Sequence, residues 1–421
     1  MISKSVLRSV IEEQLNEIEG SARFVPRAVL QGALSYSGSS AFVIKGVRRC
    51  GKSTLMMQIM RTRFGNDFVY LNFDDELLFG MTAEDLRPAM EVLIETFGDR
   101  KNVFFDEIQN VRGWELFVNR LLRQGYSVFI TGSNADLLSK ELGTHMTGRH
   151  TDVELYPFSF SEFLLAKDPD AARHGLYSAN QTALLSGLFR EYLFGGGMPE
   201  AVVLSNKRML IDAVDDIIRK DILGRYSIRK PAELKSVLRF LISNSSNRIT
   251  YRSVAGSFGV KSPATIEKYI SYASEAYLLF EVRRFERRLK RIDKSPRKVY
   301  CIDNGILVKN SPAMLDHKSD ALENLVAVEL KRRGKEFYYY VSGGGREADF
   351  VIPSEKTAMQ VCYELNPGNM EREVNGLLDA ASEIGAEKAL ILTFEQEQEL
   401  MRNGRRVEIK PAWRWLLEES A

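Results

Sequence analysis

The chain has 421 residues, of which 44% are hydrophobic and 27% charged, with a formal net charge of +2. This is the composition of a soluble globular protein, and the length exceeds one ordinary core, so two or three domains are expected. No run approaches the ~20 apolar residues of a membrane-spanning helix, and three widely spaced cysteines, Cys50, Cys301 and Cys362, give no zinc spacing and fit a reducing compartment.

From Met1 to Glu19 apolar and charged residues alternate at helical spacing, without the pattern of a secretory signal. Residues 1–35 are expected to form a helical segment of a cytoplasmic protein. The run Ala41–Ile44 reads as a buried strand, and Thr54–Arg63 as a helix. Between them Gly46-Val47-Arg48-Arg49-Cys50-Gly51-Lys52-Ser53 fits the phosphate-loop pattern G-x-x-x-x-G-K-[ST]. Gly46 and Gly51 let the backbone curl so that its N–H groups face an anion, and the following helix adds its dipole. Lys52 reaches the β- and γ-phosphates, and the Ser53 hydroxyl is a Mg²⁺ ligand. Arg48, Arg49 and Thr54 complete the nucleotide-binding set. Oxidation of Cys50 would disturb the loop, although a small residue that fits is the plainer reading.

Strand-like and helix-like segments then alternate, with strands at Asp67–Phe73, Asn102–Glu107 and Tyr126–Thr131 and helices at Ala83–Phe97 and Trp114–Gln124. This alternation predicts an α/β fold, a P-loop NTPase parallel sheet with helices on both faces. Phe104-Phe105-Asp106-Glu107 sets two carboxylates at the C-terminal edge of a strand, where such sheets bind ligands. Asp106 is the second metal candidate, and Glu107 the candidate general base for the attacking water. After the next strand, Asn134 or Ser133 can sense the γ-phosphate or hold that water, or cap a helix at Ala135–Lys140. Arg149, in Thr147-Gly148-Arg149-His150, is either an arginine finger toward a neighbouring copy or a surface arginine.

Further on, residues 231–282 read as short helices. A helix within Ile249–Val260 and a second from Ser262 give a helix-turn-helix, followed by a basic stretch at 283–298 with nine basic and two acidic residues. The second helix has Ile266, Ile270 and Ala273 inward, with Thr265, Lys268, Tyr269 and Tyr272 elsewhere. A patch this dense points to DNA; a solvated hairpin or an acidic partner protein are the other readings. Residues 320–415 carry a helix with Glu323, strands near 336–341, 348–352 and 357–362, then a helix and the strand Ala389–Thr393. This order resembles a restriction-endonuclease-like core. Such a site needs a helix Glu, a strand Asp and an acid-x-Lys. Glu323 and Asp349 match, with Glu347 nearby, but the last position reads Gln360-Val361-Cys362, so loss of catalysis is expected. Gly343-Gly344-Gly345 reads as a hairpin loop.

Together the motifs resemble a prokaryotic AAA+-type ATPase family: G-x-R-R-x-G-K-[ST], an apolar strand with D-E, then T-G-S and G-R, with Leu155–Phe163 matching its L-x-P-[FL]-S-F-x-E-[FL] segment. Gly195–Ala201 is similar to the family's G-G-x-P-E lid motif, and by analogy with related signal-transducing ATPases Gly197 and Pro199 become nucleotide contacts. The C-terminal part is similar to the domain of unknown function numbered 4143. The resemblance runs from about residue 20 to 415. It implies an ATPase core at 36–165, a helical lid at 166–230, a winged-helix-like region at 231–300 and an inactive nuclease-like domain at 301–421. The expected function is Mg²⁺-dependent ATP hydrolysis coupled to DNA-associated work. The alternatives are a nucleotide-controlled switch docking a partner protein and a weaker reading as active nuclease; a homo-oligomer, with Arg149 as the trans contact, is a further partner expectation.

Overall fold

The computed structural model describes residues 2–20, 24–36, 40–133, 150–171, 178–206, 208–287 and 295–418. Two units divide the chain: 1–156 with 275–277, and the remainder.

In the first unit, β1 (Ala41–Lys45), β2 (Val69–Asn72), β3 (Asn102–Asp106), β4 (Ser127–Gly132) and β5 (His150–Glu154) form one sheet in the order β2-β3-β4-β1-β5. Every pairing is parallel. Strands buried on both faces read as unbroken apolar runs rather than alternating ones, and all five residues of β1 are buried. Alternate side chains therefore feed two cores. Val43, Leu71, Val103, Phe105, Val128 and Ile130 share one cluster with Leu7, Val10 and Ile11 of α1 (Lys4–Gly20) and with apolar residues of α4 (Leu86–Phe97) and α5 (Trp114–Arg123). On the other face Phe104 stacks on Phe129 at 4.5 Å, with Phe42 and Phe64 against the same ring. Phe64 ends the π-turn that extends α3 (Lys52–Ile59). The register sets Lys45 beside Gly132 and Asn72 beside Asp106, so the strands end together at one edge.

The second unit holds a six-stranded mixed sheet, order β13-β14-β12-β11-β10-β9, and a three-stranded one, β6-β8-β7. Here β6 is Arg248–Ile249, β7 Leu279–Arg283, β8 Arg297–Cys301, β9 Tyr338–Val341, β10 Glu347–Ile352, β11 Thr357–Val361, β12 Lys388–Thr393, β13 Gln398–Arg402 and β14 Arg405–Pro411. The hairpin β13–β14 and the closing helix Ala412–Leu417 have no counterpart in the sequence reading. Gly343–Gly345 lie in the turn joining the antiparallel strands β9 and β10. Helix Met370–Ile384 packs on β10 so closely that a Cβ at Gly376 would stand 2.0 Å from the Glu347 carbonyl oxygen. Helices Tyr251–Ser257 and Pro263–Glu275 precede the antiparallel pair β7–β8. The first of them is fixed by a capping box between Thr250 and Ser253. Tyr269, placed off the core by spacing alone, is buried and donates to Glu233 at 3.0 Å.

Candidate nucleotide site

The loop between β1 and α3 bends through three positive φ values, 156° at Gly46, 68° at Arg49 and 95° at Gly51. At Gly46 a side chain has no room: a Cβ would meet the Leu155 carbonyl oxygen at 2.2 Å and Cys50 Sγ at 2.9 Å. Gly46→Ala is expected to cost about 1–3 kcal/mol of overpacking strain and to weaken ATP binding, which thermal melting and nucleotide titration would register together. Arg27, outside any motif, is buried under the loop. Its two terminal nitrogens donate to the carbonyl oxygens of Cys50 at 2.9 Å and Tyr156 at 2.6 Å. Cys50 is itself fully buried, and burial raises its thiol pKa, which makes it a poor nucleophile.

Lys52 opens α3 and its side chain is only 4% exposed. Its Nζ donates to the carbonyl oxygens of Gly46 at 3.2 Å and Val47 at 3.3 Å and lies 3.4 Å from Glu107 Oε1. Asp106 is completely buried and accepts from three hydroxyls: Ser53, Thr131 and, at 3.1 Å, Tyr70. Burial foremost, then the charge of Glu107, holds the Asp106 carboxyl above the usual carboxylate range. The Thr131 hydroxyl also accepts from the Glu107 backbone N–H at 2.9 Å, tying the two acids to the end of β4. Glu107 takes left-handed backbone angles, φ 51° and ψ 41°, and its Oε2 accepts from the side chain of Gln109. Arg48 pairs with Asp74 at 3.6 Å.

The donor set fits a phosphate group with a divalent cation. A buried carboxylate whose proton affinity is raised, beside a hydroxyl at the first turn of the helix, is an oxygen pair suited to Mg²⁺. Gly46, Arg48, Arg49, Gly51, Lys52, Ser53 and Thr54 thus lie with Asp106 and Glu107 at one sheet edge. Ser133 is fully buried just beyond β4. Asn134, the Ala135–Lys140 segment and Arg149 lie outside the described residues. Pro199 belongs to the second unit, at the start of helix Pro199–Val203. There Gly197 donates its N–H to Asp303 at 2.7 Å, and its Cα rests against the Phe158 carbonyl, where a Cβ would come within 2.3 Å. The sequence reading missed Arg27, Tyr70, Thr131 and Gln109; none carries a spacing signal.

A second centre lies in the second unit. Glu323, Glu347 and Asp349 surround Lys298 Nζ at 2.8, 2.7 and 2.9 Å, and the lysine side chain is 3% exposed. Tyr300 donates to Glu323 at 2.7 Å. β8 thus supplies the buried cation that faces these three carboxylates. Gln360 and Cys362 are spent on internal bonds: Gln360 accepts from the Asp349 N–H at 3.1 Å and donates to Glu373 at 2.7 Å, and the buried Cys362 thiol, its pKa pushed up to about 11 chiefly by burial, donates to the Glu364 carbonyl at 2.9 Å. The basic stretch is correspondingly thinner than its composition. Lys298 faces inward, Arg284 pairs with Glu286 at 3.2 Å, and Arg287 pairs with Glu383 at 2.9 Å. Residues 288–294 lie outside the described set.

Among the described residues no helix is long and apolar enough to cross a membrane. Residues 38–164 match a family described as an AAA domain, and residues 186–318 match a domain of unknown function, DUF8612, not the one numbered 4143. Two solved structures are similar: the replication initiator DnaA bound to AMPPCP and single-stranded DNA, and AMPPCP-bound DnaA from Aquifex aeolicus. Each is 16% identical, covering 61% and 62% of this chain and 91% of its own, with TM-scores of 0.27 and 0.26, too low to bear on function. The uncharacterized protein MJ1544 of Methanocaldococcus jannaschii is 35% identical across 99% of this chain and 96% of its own length. An uncharacterized protein of Haemophilus influenzae is 30% identical across 89% and 94%. The chain belongs to the family of these two proteins and carries an AAA-type P-loop domain for nucleotide at residues 38–164.

Proposed function

We propose that the protein is a Mg²⁺-dependent ATP hydrolase of the AAA+ type whose turnover is coupled to work on DNA in the cytoplasm. The observation that carries the hydrolase is the convergence of Lys52, Ser53, Asp106 and Glu107 at one edge of the parallel sheet. ATP draws Lys52 away from the loop carbonyls and from Glu107 onto its phosphates. Glu107 then orients the attacking water and takes its proton. Ser53 and Asp106 would hold Mg²⁺, which when bound neutralises charge on the phosphates. Asn134 or Ser133 senses the γ-phosphate, and Arg149 reaches the nucleotide of a second copy.

The coupling to DNA rests on the helix pair at 251–275, read as a winged helix with β7–β8, and on the basic composition of the 283–298 stretch, in which Arg283 and Arg287 are exposed. DNA should raise ATP turnover, and its binding should weaken with salt by a log–log slope of about −0.9 per duplex phosphate contacted. Turnover and anisotropy measured on one sample, with its oligomeric state, test this; no binding at low salt removes the DNA reading. The inward-facing Lys298 favours a second one, in which the C-terminal part is a docking surface for a partner protein and the ATPase is its switch. Slow turnover, retained ADP and indifference to DNA would mark it. Nuclease activity, the weakest reading, is tested by plasmid nicking with Mg²⁺.

A further inference from the structure

Glu107 is held from two sides by different partners. Its Oε1 faces the Lys52 ammonium at 3.4 Å, and its Oε2 accepts from Gln109 Nε2. The left-handed backbone at Glu107 opens a 3₁₀ turn, Ile108–Asn110, that brings the Gln109 amide back onto the carboxylate. The amide cannot be reversed, because its carbonyl would then oppose a carboxylate oxygen with no proton between them. Its own Oε1 is buried and has no hydrogen-bond partner among the described residues. An amide that serves the fold normally has both ends satisfied. Here one end bonds the candidate base and the other bonds nothing.

The two contacts respond differently to nucleotide. Lys52 is a phosphate ligand, so its hold on Oε1 is surrendered when ATP binds. Gln109 is uncharged and lies outside the loop, so its hold on Oε2 remains. We propose that Gln109 is the positioning residue of the hydrolytic site: it pins Oε2 of Glu107 while Lys52 releases Oε1, leaving one oxygen oriented and open to water. This rests on the reading of Glu107 as base. Without the amide, Oε2 loses the donor that fixes it after Lys52 has moved to the phosphates.

The test uses the full chain with Gln109→Met, which keeps the length but has no donor, and Gln109→Ala. ATP turnover, the dissociation constant of a fluorescent ATP analogue and the melting temperature are measured for each. Loss of one hydrogen bond to a charged group predicts kcat lower by about 10- to 100-fold, with the dissociation constant within about twofold of the parent. In a Glu107→Gln background, Gln109→Met should slow turnover no further, because both act through the same group. Parental kcat in Gln109→Met, a dissociation constant rising in step with the loss of kcat, or full additivity in the double variant would each overturn the proposal. Failure of the underlying reading looks different: Glu107→Gln itself would then turn over ATP at the parental rate.

Discussion

Glu107→Gln is expected to bind ATP at least as tightly as the parent and to hydrolyse it about 10²- to 10⁴-fold more slowly, the range of a general base. The binding half follows from the nucleotide-free geometry. Lys52 Nζ is 3.4 Å from Glu107 Oε1, an attraction that ATP must displace. An amide at 107 lowers that cost, so affinity holds or rises. The hydrolytic half follows because an amide cannot take the proton. Lys52→Ala should invert the pattern. It removes the cation that meets the phosphates, so ATP binding is lost, and turnover with it. Nucleotide titration beside single-turnover hydrolysis separates the two variants. Undiminished turnover in Glu107→Gln would remove it as the base.

The first sheet was legible because its physics is local. A parallel strand buried on both faces needs a short unbroken apolar run, and Phe42, Phe104 and Phe129 stand in such runs beside Val43, Val103 and Val128. The phosphate loop was legible for a similar reason, since Gly46 and Gly51 occupy backbone angles that exact glycine's freedom. Arg27 left no such trace. Its role depends on which carbonyls happen to lie above it after the chain has closed, and the nearer is 23 positions away along the chain. Thr131 and Tyr70 read as ordinary strand residues until pairing sets β2 and β4 on either side of Asp106. Lys298 was misread outright. Within 283–298 its neighbours are mostly cations, which signals a solvated or nucleic-acid-facing patch. β8 is buried from Lys298 to Cys301, and this carries the lysine inward.

Lys298→Met should destabilise the second unit by about 3–5 kcal/mol, the usual cost of leaving buried charge uncompensated. One ammonium stands among three carboxylates, and among the described residues only Glu347 has another cation within ion-pair distance, Arg248 at 3.4 Å. In the parent, those carboxylates hold the Lys298 ammonium well above its usual pKa against the effect of burial. A raised lysine contributes stability that is fully present below its unfolded value of about 10.4 and is lost only as pH rises through the folded one, so pH 5 to 8 leaves this contribution intact. Glu323 is raised well above the carboxylate range by burial and then by Asp349, with Lys298 and Tyr300 opposing the rise. Removing the ammonium removes the charge that opposes this rise at Glu323. The folded variant then binds protons that the unfolded chain does not, and its stability must climb as pH falls from 8 toward 5, more steeply than the parent's. Hydrogen exchange of the 297–361 segment at several pH values would show the deficit shrinking on acidification. Parental protection in Lys298→Met at pH 8 would mean the three carboxylates are already neutralised by other means. A deficit that ignores pH would mean that lost packing of the lysine stem, rather than charge, sets the cost. The predicted slope separates a cluster whose charge is balanced by an internal cation from one that merely tolerates a lysine.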